Sequence, residues 1–105
     1  MPTLQQLEEP IERRIASALI EATPDSWRKA RLEVEVKEEA GVLGMPHTIL
    51  SPEGRREVVA ATDDISSATF ELRELFKKHG KAWRRLVFEI IEEEGRWRYV
   101  ANYDY

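Results

Sequence analysis

From Arg85 to Tyr103 apolar and polar residues alternate as they would in two strands joined by a tight turn at Glu94-Gly95. With Glu94 and Gly95 as the loop, Glu93 faces Arg96, Ile90 faces Tyr99, Phe88 faces Ala101 and Leu86 faces Tyr103. Side chains alternate sides along a strand, so Leu86, Phe88, Ile90, Trp97, Tyr99 and Tyr103 share one face. Arg85, Glu89, Arg98 and Asn102 fall on the other, together with Val87, Ile91 and Val100. A slip of one residue would mix the two sets, so the pattern itself selects this register. A hairpin alone is marginal in water, and its apolar face therefore requires further strands or a helix.

The rest of the chain supplies both. Leu4, Leu7, Ile11, Ile15, Ala18, Leu19 and Ala22 recur at the three-and-four spacing of an amphipathic helix. Thr3 and Gln6 have the spacing of a capping box that would start the helix early and make Pro10 a kink. Alternatively Pro10 is its first residue; a frayed or kinked beginning with a firm helix from Pro10 to Ala22 is the expectation. Thr23-Pro24-Asp25-Ser26 ends it. Trp27 opens a first strand in which Ala30, Leu32, Val34 and Val36 alternate with Arg31, Glu33, Glu35 and Lys37. The run from Lys37 to Gly41 reads as a turn, His47 to Leu50 as extended, Ser51-Pro52-Glu53-Gly54 as another turn and Arg56 to Ala61 as a further short extended piece. Asp63 or Asp64 caps a second helix with an apolar stripe of Ile65, Ala68, Leu72, Leu75 and Phe76, ended at Gly80; Phe70 projects away from that stripe. The expected fold is a single α+β domain over residues 1–105. It has two layers, an antiparallel sheet of four to five strands with two helices on one face, in the order α-β-β-(β)-α-β-β.

Composition narrows the function classes. The 105 residues include no cysteine, which excludes disulfides, thiolate metal sites and a cysteine nucleophile. No apolar run approaches the ~20 residues that span a bilayer, and a cytoplasmic, membrane-free protein is expected. The net charge of −4 is spread as −3 over residues 1–40, zero over 41–82 and −1 thereafter. Basic residues are interleaved with glutamates throughout, a pattern that disfavours nucleic-acid binding.

Catalytic motifs are absent. His47 and His79 are far apart in sequence, no zinc spacing occurs, no serine sits in a nucleophile elbow, and no glycine-rich phosphate loop is present. The densest carboxylate run, Glu92-Glu93-Glu94, lies at a hairpin tip, where solvation opposes the pKa shift that acid-base catalysis needs. The expectation is a protein that is not an enzyme, with no catalytic residues, no metal and no cofactor.

The order of short motifs is informative. A helix is followed by Thr23-Pro24-Asp25-Ser26-Trp27 and a strand, then an irregular middle and a helix. Ala82-Trp83 opens a strand, Glu93-Glu94-Gly95-Arg96-Trp97 forms a turn, and Asn102-Tyr103-Asp104-Tyr105 closes the sequence. Over nearly the whole chain this resembles the YezG-like immunity protein family of bacterial polymorphic toxin systems. Departures fall in the middle, at Gly44-Met45-Pro46 and in the compact second helix. The resemblance implies a cytoplasmic antidote that binds and occludes a cognate protein toxin, commonly a nuclease, and it carries no catalytic motif. Trp27, Trp83, Trp97 and Tyr103 match the family pattern, and their physical reading is as core anchors.

The hairpin's contribution to partner binding is expected on its second face and its tip, at Glu89, Ile91, Glu92, Glu93, Glu94 and Arg98. Two other readings stand beside this one. The first is a small-molecule pocket between helices and sheet, lined by Trp97, Tyr99 and nearby carboxylates. The second is a structural homodimer paired through the exposed sheet face.

Overall fold

The computed structural model describes residues 3–53 and 61–105. Helix α1 spans Leu4–Ala22 and α2 spans Asp63–Lys78; the strands are β1 (Lys29–Glu35), β2 (Lys37–Glu39), β3 (Val42–Gly44), β4 (His47–Leu50), β5 (Arg85–Glu93) and β6 (Arg96–Asp104). Four strands form one antiparallel sheet in the order β4-β1-β5-β6, and β2 and β3 form a separate two-stranded ribbon. The expected two-layer α+β architecture is present. No helix among the described residues is long and apolar enough to cross a membrane.

The terminal hairpin adopts the register that its alternation selects. Glu93 pairs with Arg96, Ile90 with Tyr99, Phe88 with Ala101 and Leu86 with Tyr103. Both loop residues are left-handed, Glu94 at φ 53° and Gly95 at φ 77°. That is the backbone a two-residue turn needs to match the strand twist. β5 then pairs with β1 so that Leu86, Phe88 and Ile90 lie opposite Val34, Leu32 and Ala30. All six are buried, in one cluster with Ile15 and Leu19 of α1 and Ile65, Leu72 and Phe76 of α2. The sheet's apolar face is thus closed by both helices.

Several local expectations are corrected. α1 begins at Leu4, because Thr3 and Gln6 form a reciprocal capping box, and Pro10 is carried inside the helix. α2 is capped by Thr62, whose hydroxyl accepts from the Ile65 amide at 3.3 Å. Asp63 and Asp64 occupy the first turn instead, where their charge complements the helix dipole. β1 starts at Lys29, two residues past Trp27. The segment expected to be a turn, Lys37 to Gly41, contains β2, and the reversal itself is confined to Ala40 (φ 51°) and Gly41 (φ 78°). Charged residues with low strand propensity are held extended there by pairing with Val42–Gly44. Arg73 of α2, itself buried, bonds Glu38 at 2.5 Å and clamps the ribbon to the helix. β1 pairs antiparallel with β4 on one side and with β5 on the other. The extended piece expected at Arg56 to Ala61 falls, all but Ala61, outside the described residues.

His47 is an edge-strand residue turned toward α2. Its Nδ1 donates to the Met45 carbonyl at 2.6 Å and its Nε2 lies 2.7 Å from the Thr69 hydroxyl. Burial lowers its pKa below the ordinary 6.5, with the Met45 carbonyl pulling the other way. A histidine that resists protonation when folded binds fewer protons than in the unfolded chain. Its contribution is therefore complete above about pH 6.5 and is lost as pH falls through that value toward the lowered folded pKa. Urea denaturation from pH 7.5 down to 5 should show stability falling below about pH 6.5, and His47→Gln should flatten that slope.

Candidate functional site

Among the described residues no helix covers the opposite face of the sheet. Alternation brings Thr48 and Leu50 of β4, Lys29, Arg31, Glu33 and Glu35 of β1, Arg85, Val87, Glu89, Ile91 and Glu93 of β5, and Arg98, Val100 and Asn102 of β6 onto it. At its centre Glu33 accepts from Arg85 at 3.0 Å and lies 3.1 Å from Arg31 Nε. Arg98 reaches Glu93 at 2.5 Å. These groups remain partly exposed, so each pair adds only about 0–1 kcal/mol to stability. Their larger effect is to hold long side chains flat across the sheet. Between them runs an apolar strip of Val87, covered to 9 % exposure, half-buried Ile91, and Val100, still 52 % exposed. The basic side chains Lys29, Arg31, Arg85, Arg96 and Arg98 are matched by Glu33, Glu35, Glu89, Glu93 and Asp104. The face is charge-balanced, and local acidity is concentrated at the tip, Glu92 to Glu94.

Four of the six residues expected to bind a partner, Glu89, Ile91, Glu93 and Arg98, meet on this face. Glu94 is exposed at the turn. Glu92 is a correction: it pairs with Trp97 and shares that residue's side of the sheet, the helix side, while its amide bonds the Arg28 carbonyl at 2.8 Å. Strand parity alone places it there, because residues 86, 88, 90 and 92 point one way.

A second constellation was not expected. Glu12, in the middle of α1 and 9 % exposed, accepts hydrogen bonds from Tyr103 at 2.5 Å and Tyr99 at 3.3 Å. Tyr103 also packs on Phe76 (ring centroids 4.6 Å apart) and Trp83 (6.0 Å), and Tyr99 stacks on Phe88 (5.2 Å). The readable signal was position, since Glu12 lies three and seven residues before Ile15 and Leu19, on the buried side of α1. Burial and the Glu12 carboxylate push both tyrosine pKa values above the ordinary 10, Tyr103 far above. Held protonated, these phenols are hydrogen-bond donors and poor nucleophiles or bases. Glu8, one turn earlier, is raised by desolvation and by the Glu12 charge, with Lys81 opposing.

The carboxylate and tyrosine that a ligand pocket would have used thus meet, but they satisfy one another and pin α1 to the edge of the sheet. Glu12→Ala should lower stability by about 1–3 kcal/mol by stranding the Tyr103 hydroxyl, and Glu12→Gln, which keeps an acceptor, by less. Denaturant titration measures the loss, and alkaline titration followed by phenolate absorbance should show Tyr103 ionising only as the chain unfolds. The sign follows from the raised folded pKa: stability is complete below about pH 10 and is lost as pH rises beyond it.

Among the described residues no group of three or more His, Asp or Glu side chains is placed to hold a metal ion. Trp27, Trp97 and Tyr103 pack against the core and Trp83 belongs to it, in keeping with their reading as anchors. Compared with known proteins, the chain matches no family model and no curated sequence.

Proposed function

We propose that the chain is an immunity protein of a bacterial polymorphic toxin system, neutralising a cognate protein toxin in the cytoplasm by direct binding. The observation that carries this reading is the sheet face that no described helix covers, on which the apolar strip of Val87, Ile91 and Val100 is framed by charges of both signs, Arg31 and Arg85 gathered on Glu33 and Arg98 on Glu93. Such a face offers a protein partner an apolar contact area with a charged surround of both signs, the anatomy of an interface core and its rim. The motif order that resembles the YezG-like family adds the toxin as partner. The tryptophans of that pattern are used up in the core, which leaves partner choice to the open face and the tip.

Charge balance on the face and acidity at the tip divide the roles. The strip of Val87, Ile91 and Val100 supplies contact, and Glu93 and Glu94 steer a basic toxin cleft during encounter. The complex should therefore associate more slowly as salt rises, while its dissociation rate changes little. Variants at His47 or His79 should leave binding unchanged.

The test is co-expression with the C-terminal domain of a large secreted protein encoded in the neighbouring reading frame. Restored growth and a stable one-to-one complex are expected. A neighbouring operon of metabolic enzymes, or a toxin domain that kills equally with and without this chain, would overturn the reading.

A further inference from the structure

The two edges of the main sheet are not alike. β4 is only four residues long and is flanked by Pro46 and Pro52, so little of it can pair with anything further. β6 runs for nine residues with no proline and holds an unbroken register against β5 from Arg96 to Asp104. No bulge bends its free side away. In an antiparallel ladder closed by a two-residue turn, Arg96, Arg98, Val100, Asn102 and Asp104 direct their backbone groups to β5. Trp97, Tyr99, Ala101 and Tyr103 direct theirs outward, and no described strand meets them.

We infer that β6 is a self-pairing edge, joining antiparallel to β6 of a second copy about a twofold axis through Val100. The occupant is specified by the strand itself. Its beginning is basic, at Arg96 and Arg98, and its end is acidic, at Asp104. Antiparallel self-pairing therefore sets Arg96 against Asp104 of the second copy, and Asp104 against its Arg96.

One register does this while leaving no outward backbone group unpaired. Centred on Val100, it makes Trp97 exchange hydrogen bonds with Tyr103 of the second copy and Tyr99 with its Ala101. Arg98 meets Asn102, and the two Val100 side chains meet on the open face. Val100 is 52 % exposed in the single chain and would be covered. Centring the axis one residue earlier strands Tyr103 and Asp104. Centring it one residue later strands Arg96 and Trp97. A symmetric interface requires that the same patch complement itself, and this strand does so in charge, in apolar placement and in hydrogen-bond phase. The product is a continuous sheet of twice the width, and its open face remains free of helices. The inference does not depend on what that face binds.

Amide hydrogen exchange on the whole protein, read by NMR over a concentration series alongside sedimentation velocity, tests it. A monomer-dimer equilibrium is expected in which the amides of Trp97, Tyr99, Ala101 and Tyr103 slow as dimer accumulates. Those of Arg98, Val100 and Asn102 should be protected at every concentration. Ala101→Pro removes an outward N–H without touching the β5 ladder and should weaken dimerisation at least tenfold. Arg96→Asp and Asp104→Arg should each weaken self-association about three- to tenfold, and an equimolar mixture of the two should dimerise as well as the parent, since both charge pairs are restored. This mixture decides the matter even if the proline variant fails to fold. A chain that stays monomeric up to about 1 mM, a dimer that leaves those four amides exchanging as in the monomer, or charge variants whose mixture is no better than either alone would overturn the inference.

Discussion

Trp83→Ala should lower the unfolding free energy by about 3–5 kcal/mol, the largest loss expected from any single substitution outside the hairpin. Trp83 is 1 % exposed, stands just ahead of β5, and packs its ring near Tyr103, which in turn touches Phe76 and Glu12. Its removal therefore opens a void where α1, α2 and the hairpin converge. Net stabilities of small domains are about 5–15 kcal/mol, so such a loss leaves a marginal fold. Among the described residues the indole nitrogen meets no hydrogen-bond partner. Packing is then what the residue contributes, and Trp83→Phe, which keeps one ring and leaves a smaller void, should cost less than Trp83→Ala. Urea denaturation of the three proteins measures this. If Trp83→Ala cost only about 0.5 kcal/mol, the size of a surface change, the convergence of elements at this residue would be misread. Trp83→Phe should also bind the partner as the parent does.

The second large effect concerns binding. Under the proposed function, Ile91→Asp should reduce affinity for the toxin partner at least about 30-fold, a loss of about 2 kcal/mol, as for a residue at the centre of an interface. Folding should change by less than about 1 kcal/mol, because Ile91 is half-buried on the open face and its neighbours across the strands are the cations Lys29 and Arg98. An aspartate is well placed between them, so the free protein tolerates it. The apolar strip does not. Leu7→Asp, at the exposed groove between α1 and α2, is the matched control and should bind normally. Calorimetric titration of the two variants distinguishes a sheet-face interface from a helix-face one.

The terminal hairpin was legible in full because two independent signals agree on one register: period-two alternation, and a turn pair able to adopt left-handed backbone. The β2-β3 ribbon was not, since Lys37, Glu38 and Glu39 carry no strand propensity and are held extended by pairing with β3 and by Arg73. The start of α1 went the way of its capping box, and Pro10 was accommodated within the helix. Glu12 was hidden by the habit of reading carboxylates as surface. Its position on the stripe of Ile15 and Leu19 marked it as buried, and what it would bond to depended on how α1 crosses the hairpin, which no local pattern states. In the candidate site, strand parity correctly gathered Glu89, Ile91, Glu93 and Arg98. Glu92, expected at the tip, turns by that same parity to the helix side with Trp97. The ion pairs that span β1 and β5, Arg85 to Glu33 among them, depend on which strands neighbour each other, a long-range property that alternation does not encode.

The proposed toxin-binding surface is the open sheet face. Its most direct test is an NMR titration of the isotope-labelled chain with the C-terminal domain of a large secreted protein encoded in the neighbouring reading frame, the proposed toxin. Shift changes clustered on Arg31, Glu33, Val87, Glu89, Ile91, Arg98 and Val100, with the outer faces of α1 and α2 unmoved, are the predicted result. Changes confined to the helices, around Leu7, Phe70 and Leu75, with the sheet face undisturbed, would contradict it.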